Sequence, residues 1–207
     1  MSALRTSGRL ILITATPSLR SVVISTARRI IRQTGSRVGF PNAKKAPVPV
    51  SSLEARLDAV FATDRPFPDV VRDLLRLVSE ATGLSTTYLA RAYMREDEQQ
   101  ILFSHNVADD LFVPEEITIP WSEGVCSFVH DGRAPEYTDN VPRDIPDSTV
   151  ARMLGYRSFL SLPVFRRGQF YGTLCGCSAH PVTISTRTLE LIRKCANRIG
   201  ELLPDDL

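Results

Sequence analysis

Residues 171–178 read YGTLCGCS, and the reading of this stretch decides the fold. Tyr171, Thr173, Cys175 and Cys177 alternate with Gly172, Leu174 and Gly176, the period of a β-strand whose neighbours point to opposite faces. A strand holds residues i and i+2 about 6.5–7 Å apart with parallel side chains, poor geometry for a disulfide between Cys175 and Cys177. Zinc needs about four converging ligands, and only Cys126, Cys195 and three histidines remain in the chain. Cys175 and Cys177 are therefore expected as packed strand residues, small hydrophobes rather than a metal or redox site. Gly172 and Gly176 share the other face, where a helix or a ligand can approach the backbone closely.

Working outward, SFLSLPVF (158–165) precedes Arg166-Arg167-Gly168, so the two apolar stretches predict a hairpin with Gly168 in its turn. TTYLARAYM (86–94) and QILFSH (100–105) predict a second hairpin across the polar stretch 95–99, and EEITIPW (115–121) a third strand run. Between the hairpins lie a short helix from Ser122 stopping at Gly132, a brief strand APEYT (134–138) and a capped helix DSTVARMLG (147–155).

Amphipathic helices flank these strands. One runs from Ser51 to Ala62, opening SSLE as a capping box. A second carries Phe67, Val70, Val71, Leu74, Leu75, Val78 and Ala81 and stops at Gly83. The last starts at Ser185, with Leu189, Ile192, Ala196, Ile199 and Leu203 at heptad steps. Helices at both ends of a mainly antiparallel sheet, with short helices inserted in the middle, predict an α+β sandwich. The sheet closes one wall of a cavity and the inserted helices the other.

Charge divides the 207 residues in two. Up to Leu53 there are nine basic residues and no acidic one, against a net charge of +2, so the remainder carries −7. Residues 1–50 read as a basic arm with a Pro-rich linker (Pro41, Pro47, Pro49), and 51–207 as the folded domain. In the arm, Thr16-Pro17 and the apolar spacing from Leu19 to Ile31 predict a helix stopping at Gly35. An acidic-surface anchor, a nucleic-acid contact, a transit peptide and a poorly ordered extension all fit that composition. Phe40 is its one aromatic residue, so base stacking has little to work with and nucleic acid is disfavoured. Four cysteines without a secretory signal point to a reducing, cytoplasmic setting. No apolar run is long enough to cross a bilayer.

In combination, the helix leading into TTYLAR, the stretch EEITIPWSEGVCSFVHDGRAPEYTDN, the strand YRSFLSLPVF and GQFYGTLCG resemble a GAF domain over roughly Ser52 to Leu203. The nearest flavour is the GAF domains that precede diguanylate cyclase and phosphodiesterase domains in bacterial signalling proteins. The resemblance implies an antiparallel sheet with the terminal helices on one face and a ligand pocket on the other. It implies a non-catalytic sensory function and places the pocket between the sheet and residues 120–156. Trp121, Cys126, His130, Tyr137, Asp139 and Arg157 are then the candidate ligand-binding residues. Trp121 and Tyr137 would supply flat apolar walls, and Asp139 and Arg157 would orient a polar ligand. A homodimer through the terminal helices is expected, since a parallel bundle would bury their stripes. The chain ends soon after the last helix, so either output is expected to pass through a signalling partner in trans or this is a stand-alone or truncated sensor.

The family also has a catalytic branch, the free methionine-(R)-sulfoxide reductases, with a cysteine in a Gly-Val-Cys turn. Gly124-Val125-Cys126 matches it. The branch's earlier cysteine falls where this chain has Glu115 and Glu116, and its later one where residues 150–158 offer none. Cys126 is thus expected to lack a second thiol for a disulfide step, although a helix N-terminus would favour its thiolate. A third alternative is a ligand-free scaffold for protein–protein interaction. The sequence names no cofactor. Cys126 is followed by Ser127 where bilin attachment usually has histidine, and His130 is the one histidine placed to ligate haem. The cyclic-nucleotide signature of the family, a P-loop, a dinucleotide fingerprint and a Ser-His-Asp order are not in the sequence.

Overall fold

The computed structural model describes residues 50–62, 64–107, 111–205 and 207. The basic arm, its expected helix from Thr16 and nearly all of the linker lie outside these residues. Helix α1 (Val50–Phe61) is followed by α2 (Phe67–Thr82). Ser51 lies inside α1. Helix α2 has Pro68 in its first turn, where the missing N–H is harmless, and ends at Gly83 with φ 79°.

Strands β1 (Thr86–Tyr93) and β2 (Glu98–Asn106) form the first expected hairpin. The third expected strand is shortened to β3 (Thr118–Pro120): Glu116 at φ 62° interrupts the strand before it, although Glu116 and Ile117 still bond to the Ile101 backbone, and the 3-10 turn at Trp121–Glu123 follows it. Helix α3 (Val125–His130), strand β4 (Tyr137–Thr138) and helices α4 (Val141–Asp144) and α5 (Thr149–Leu154) make the insertion. Helix α4 was not evident from VPRD, which is too short for an apolar period to show. Ser148 caps α5, its hydroxyl accepting from the Ala151 N–H at 3.1 Å. Strands β5 (Ser158–Arg166) and β6 (Gln169–Ser178) form the second hairpin, with Gly168 at φ 78°. Helix α6 (Thr186–Leu202) closes the fold, its N–H at Thr188 capped by the Ser185 hydroxyl at 3.1 Å.

Among the described residues, six strands form one sheet in the order β3-β2-β1-β6-β5-β4, with every pairing antiparallel. The architecture is the α+β sandwich expected. Leu89, Leu160, Leu162 and Leu174 face α1, α2 and α6 and form one cluster with Leu53, Leu74, Leu75, Ile192 and Ile199. Two glycines set the spacing on that side. A Cβ at Gly176 would lie 2.6 Å from Leu84 Cδ1, and one at Gly200 of α6 2.0 Å from the Phe165 carbonyl oxygen. The close approach at Gly172 is by strand β1 itself, the Ala90 carbonyl oxygen lying 2.0 Å from the Cβ position.

The heptad stripe of α6 packs on this sheet. Ile192, Ala196, Ile199 and Leu203 are buried within one chain, as are Leu53 and Leu57 of α1. The stripes that would have formed a seam between two copies are therefore already covered. No described helix is long and apolar enough to cross a membrane.

Candidate functional site

Register places Tyr88, Ser161, Thr173, Cys175 and Cys177 together on the sheet face opposite the long helices. Helix α3 lies over them and lowers Cys126 onto β6, its sulfur 3.0 Å from that of Cys175. The Gln99 amide donates to Cys126 at 3.3 Å, and the Tyr88 hydroxyl lies 3.8 Å away. The Ser161 hydroxyl lies 3.5 Å from the Cys175 sulfur. All of these side chains are buried. Glycine at 124 admits the Gln99 amide, since a Cβ there would fall 2.8 Å from its oxygen.

The two sulfurs share their protons unequally. Burial pushes the Cys126 thiol up, but the Cys175 thiol and then the Gln99 amide, both donating to it, outweigh burial and hold Cys126 below the usual thiol range. Cys175 is pushed well up, by burial first and then by its donation to Cys126. Cys195, among the helices, is raised to about 12 by burial. The second thiol that the sequence did not supply for Cys126 is Cys175. Its proximity corrects the expectation that Cys126 lacks a partner, while Cys175 itself is a buried strand residue, as expected.

Among the described residues, large side chains are buried at the centre of this face. Trp121, Cys126, Tyr156 and Phe159 are buried, and the Tyr156 and Phe159 rings stack at 5.9 Å. A cleft of about 250 Å³ opens toward the β5–β6 turn, between that hairpin and the end of α3. Val129, Pro163, Phe165 and Phe170 give it apolar walls, and His130, Glu136, Ser161 and Thr173 give it polar ones. The Thr173 hydroxyl is buried there with no well-aligned hydrogen-bond partner. At the rim Glu136 accepts from Arg193 of α6 at 2.6 and 3.1 Å, so one wall of the cleft is bonded to the last helix.

Of the six residues expected to bind ligand, His130 lines the cleft. Its ring lies 4.5 Å from Phe170 and 5.5 Å from Trp121, and its Nδ1 is 3.3 Å from the Asp131 carboxylate. Trp121 backs the wall, edge-on to Phe170 at 5.8 Å. Cys126 sits below, joined to the cleft lining through Cys175 and Ser161. The other three are elsewhere. Tyr137 pairs directly with Leu160 and so points to the helical side, where its hydroxyl donates to the Val182 carbonyl and accepts from the Ile184 N–H. Asp139 and Arg157 are exposed, and Arg157 ties the insertion to β6 through its backbone N–H, which donates to the Ser178 carbonyl at 2.8 Å. Gln99, Glu136, Ser161, Phe170 and Thr173 were missed. Ser161, a lone hydroxyl in an otherwise apolar strand, and Thr173, in phase with Cys175, carried the available signal.

The model of the GAF domain family matches residues 66–203. The chain belongs to the GAF family. Diguanylate cyclase DgcP of Escherichia coli K12 is 30% identical over 150 residues, covering 72% of this chain and 43% of the cyclase. The chain thus spans under half the length of that curated relative. The phycocyanobilin-bound GAF domain of a cyanobacterial phytochrome superposes with TM-score 0.59 at 12% identity, covering 75% of this chain and 93% of that one. The free methionine-R-sulfoxide reductase of Neisseria meningitidis, solved with its substrate, gives TM-score 0.59 at 18% identity, covering 79% and 93%. At these identities the solved structures establish the GAF fold.

Proposed function

We propose that this GAF domain is a non-catalytic sensory module, whose ligand is a small molecule held in the cleft between α3 and the β5–β6 hairpin. The bond between Glu136 at the cleft rim and Arg193 on α6 carries this reading. A ligand that draws on the Glu136 carboxylate, or displaces it, changes the hold on the terminal helix, and a site moves an equilibrium only through such a differential contact. At about 250 Å³ the cleft lies below the ~300–1,000 Å³ of sites for drug-sized ligands, so it suits a small metabolite rather than a tetrapyrrole. Phe165 and Phe170 would cover an apolar part, and the free hydrogen-bonding capacity of Thr173 would fix one polar group. Output passes along α1 and α6 to a partner. Since their apolar stripes are buried in one chain, pairing of two copies would use their outer, charged faces.

The test is a metabolite library screened by thermal shift against the wild type, Thr173→Val and Phe170→Ala. A small polar compound that stabilises the wild type and loses ~10-fold or more in affinity in both variants is expected, the scale of one buried hydrogen bond or one aromatic wall. Equal binding by all three proteins would remove the cleft from the account.

A second reading draws on the Cys126–Cys175 pair: reduction of a free sulfoxide, two thiols giving a disulfide as the sulfoxide oxygen leaves as water. Turnover of free methionine sulfoxide with a dithiol reductant, lost in Cys126→Ser, would establish it.

A further inference from the structure

Three features make the buried sulfur pair more than packing. The sulfurs of Cys126 and Cys175 stand 3.0 Å apart, so a contraction of ~1 Å separates them from bonding distance, ~2.05 Å. Polar groups converge on the pair, with Gln99 donating to Cys126 and the Ser161 hydroxyl 3.5 Å from the Cys175 sulfur, where an inert structural thiol would be surrounded by hydrocarbon. The pair also lies behind the cleft floor, for Ser161 and Thr173 both line the cleft, on the same face of β5 and β6 as Cys175. A molecule of peroxide size at that floor is one side chain from sulfur.

We infer that Cys126 and Cys175 form a reversible disulfide when a small hydroperoxide enters the cleft, making this face an oxidant-responsive site independent of any ligand held there. The Cys126 thiolate attacks one peroxide oxygen, forming an S–O bond as the O–O bond breaks, and the departing hydroxide takes up a proton as water. The Cys175 sulfur, losing its proton, then displaces hydroxide from the sulfenic acid, which leaves as a second water. Two thiols and one hydrogen peroxide give one disulfide and two waters. A low-molecular-weight dithiol reverses the step by thiol–disulfide exchange.

Neither of the other cysteines competes. Cys177 is one strand repeat from Cys175 and is engaged by the Tyr156 hydroxyl. Cys195 lies in the helical core on the far side of the sheet. The bond has a structural consequence, because it draws α3 toward β6. Val129 and His130 of α3 form one wall of the cleft, and Trp121, the one tryptophan in the chain, packs edge-on against His130. Oxidation therefore reshapes the cleft and shifts the emission of Trp121.

The test titrates the full reduced chain with hydrogen peroxide, alkylates the remaining thiols after denaturation and maps them by peptide mass spectrometry. Two of the four thiols should disappear together, with a Cys126–Cys175 cross-linked peptide, a change in Trp121 emission and full recovery in dithiothreitol. Cys177 and Cys195 should stay alkylatable. In Cys175→Ala, chosen because it removes one sulfur without adding a polar group, Cys126 should proceed to sulfinic acid and the Trp121 change should not reverse. Four alkylatable thiols at excess peroxide, a cross-link to Cys177 or Cys195, or sulfinic Cys126 in the wild type without a cross-link would each overturn the inference. So would a Cys175→Ala protein whose oxidation reverses in dithiothreitol like that of the wild type.

Discussion

The two faces of one sheet make the instructive comparison. Toward the long helices, Leu89, Leu160, Leu162 and Leu174 meet Leu74, Leu75, Ile192 and Ile199, and the cysteine on that side is simply pushed up by burial. Toward the insertion, the same strands present Tyr88, Ser161, Thr173 and Cys175 to short helices, a buried amide and an open cleft. Both faces are buried, but one is saturated with apolar contact and the other retains directional bonding capacity. Stability should therefore be concentrated on the first face and response on the second.

That division can be broken by paired substitutions on adjacent residues of β6. Leu174→Ala should cost about 2–5 kcal/mol in urea denaturation, the range for a buried leucine truncated in a core. Cys175→Ala, the next residue but on the other face, should cost no more than about 1.5 kcal/mol, the scale of one methyl-sized deletion. Equal losses would end the distinction. Gly200→Ala sharpens it from the helix side. Its Cβ would fall 2.0 Å from the Phe165 carbonyl oxygen, so α6 must lift from β5, at about 1–3 kcal/mol. Hydrogen exchange should then rise along α6 and β5.

Smaller stability effects are expected where the two faces communicate. Arg193→Ala should lower stability by about 1 kcal/mol or less, because the pair with Glu136 is half exposed. Its signature should instead be faster exchange at α6 and at the cleft rim together, and a change at only one of them would uncouple the cleft from the helix. The smallest effect belongs to Asp144, which Arg143 and then the Thr138 hydroxyl hold at about 2, below the usual carboxylate value. The folded pKa is depressed, so this contribution is present above the ordinary carboxylate range and lost as pH falls through about 2. Asp144→Asn should cost about 1 kcal/mol or less at neutral pH and flatten the acid limb of a stability–pH curve between about 4 and 2.

How far the sequence reaches follows from the same division. The apolar face was legible because period-two strands and 3.6-period helices declare it, and Gly83 and Gly168 mark element ends at positive φ. The two-residue strand β4 is too short to show an alternation, so Tyr137 was assigned to the wrong face. Asp139 and Arg157 were chosen for charge, which says nothing of direction, and both are exposed. The Cys126–Cys175 contact joins residues 49 apart, across an insertion whose path no local pattern fixes. Gln99, read as part of a polar turn, is buried because β2 begins at Glu98 and turns its amide under α3.

Native mass spectrometry of the chain purified from its own host tests the central claim most directly, with Thr173→Val and Phe170→Ala carried in parallel. A sensory cleft predicts a non-covalent companion of metabolite mass on the wild type that is depleted on both variants. The bare chain mass in every sample, or a companion retained unchanged by both variants, would contradict it.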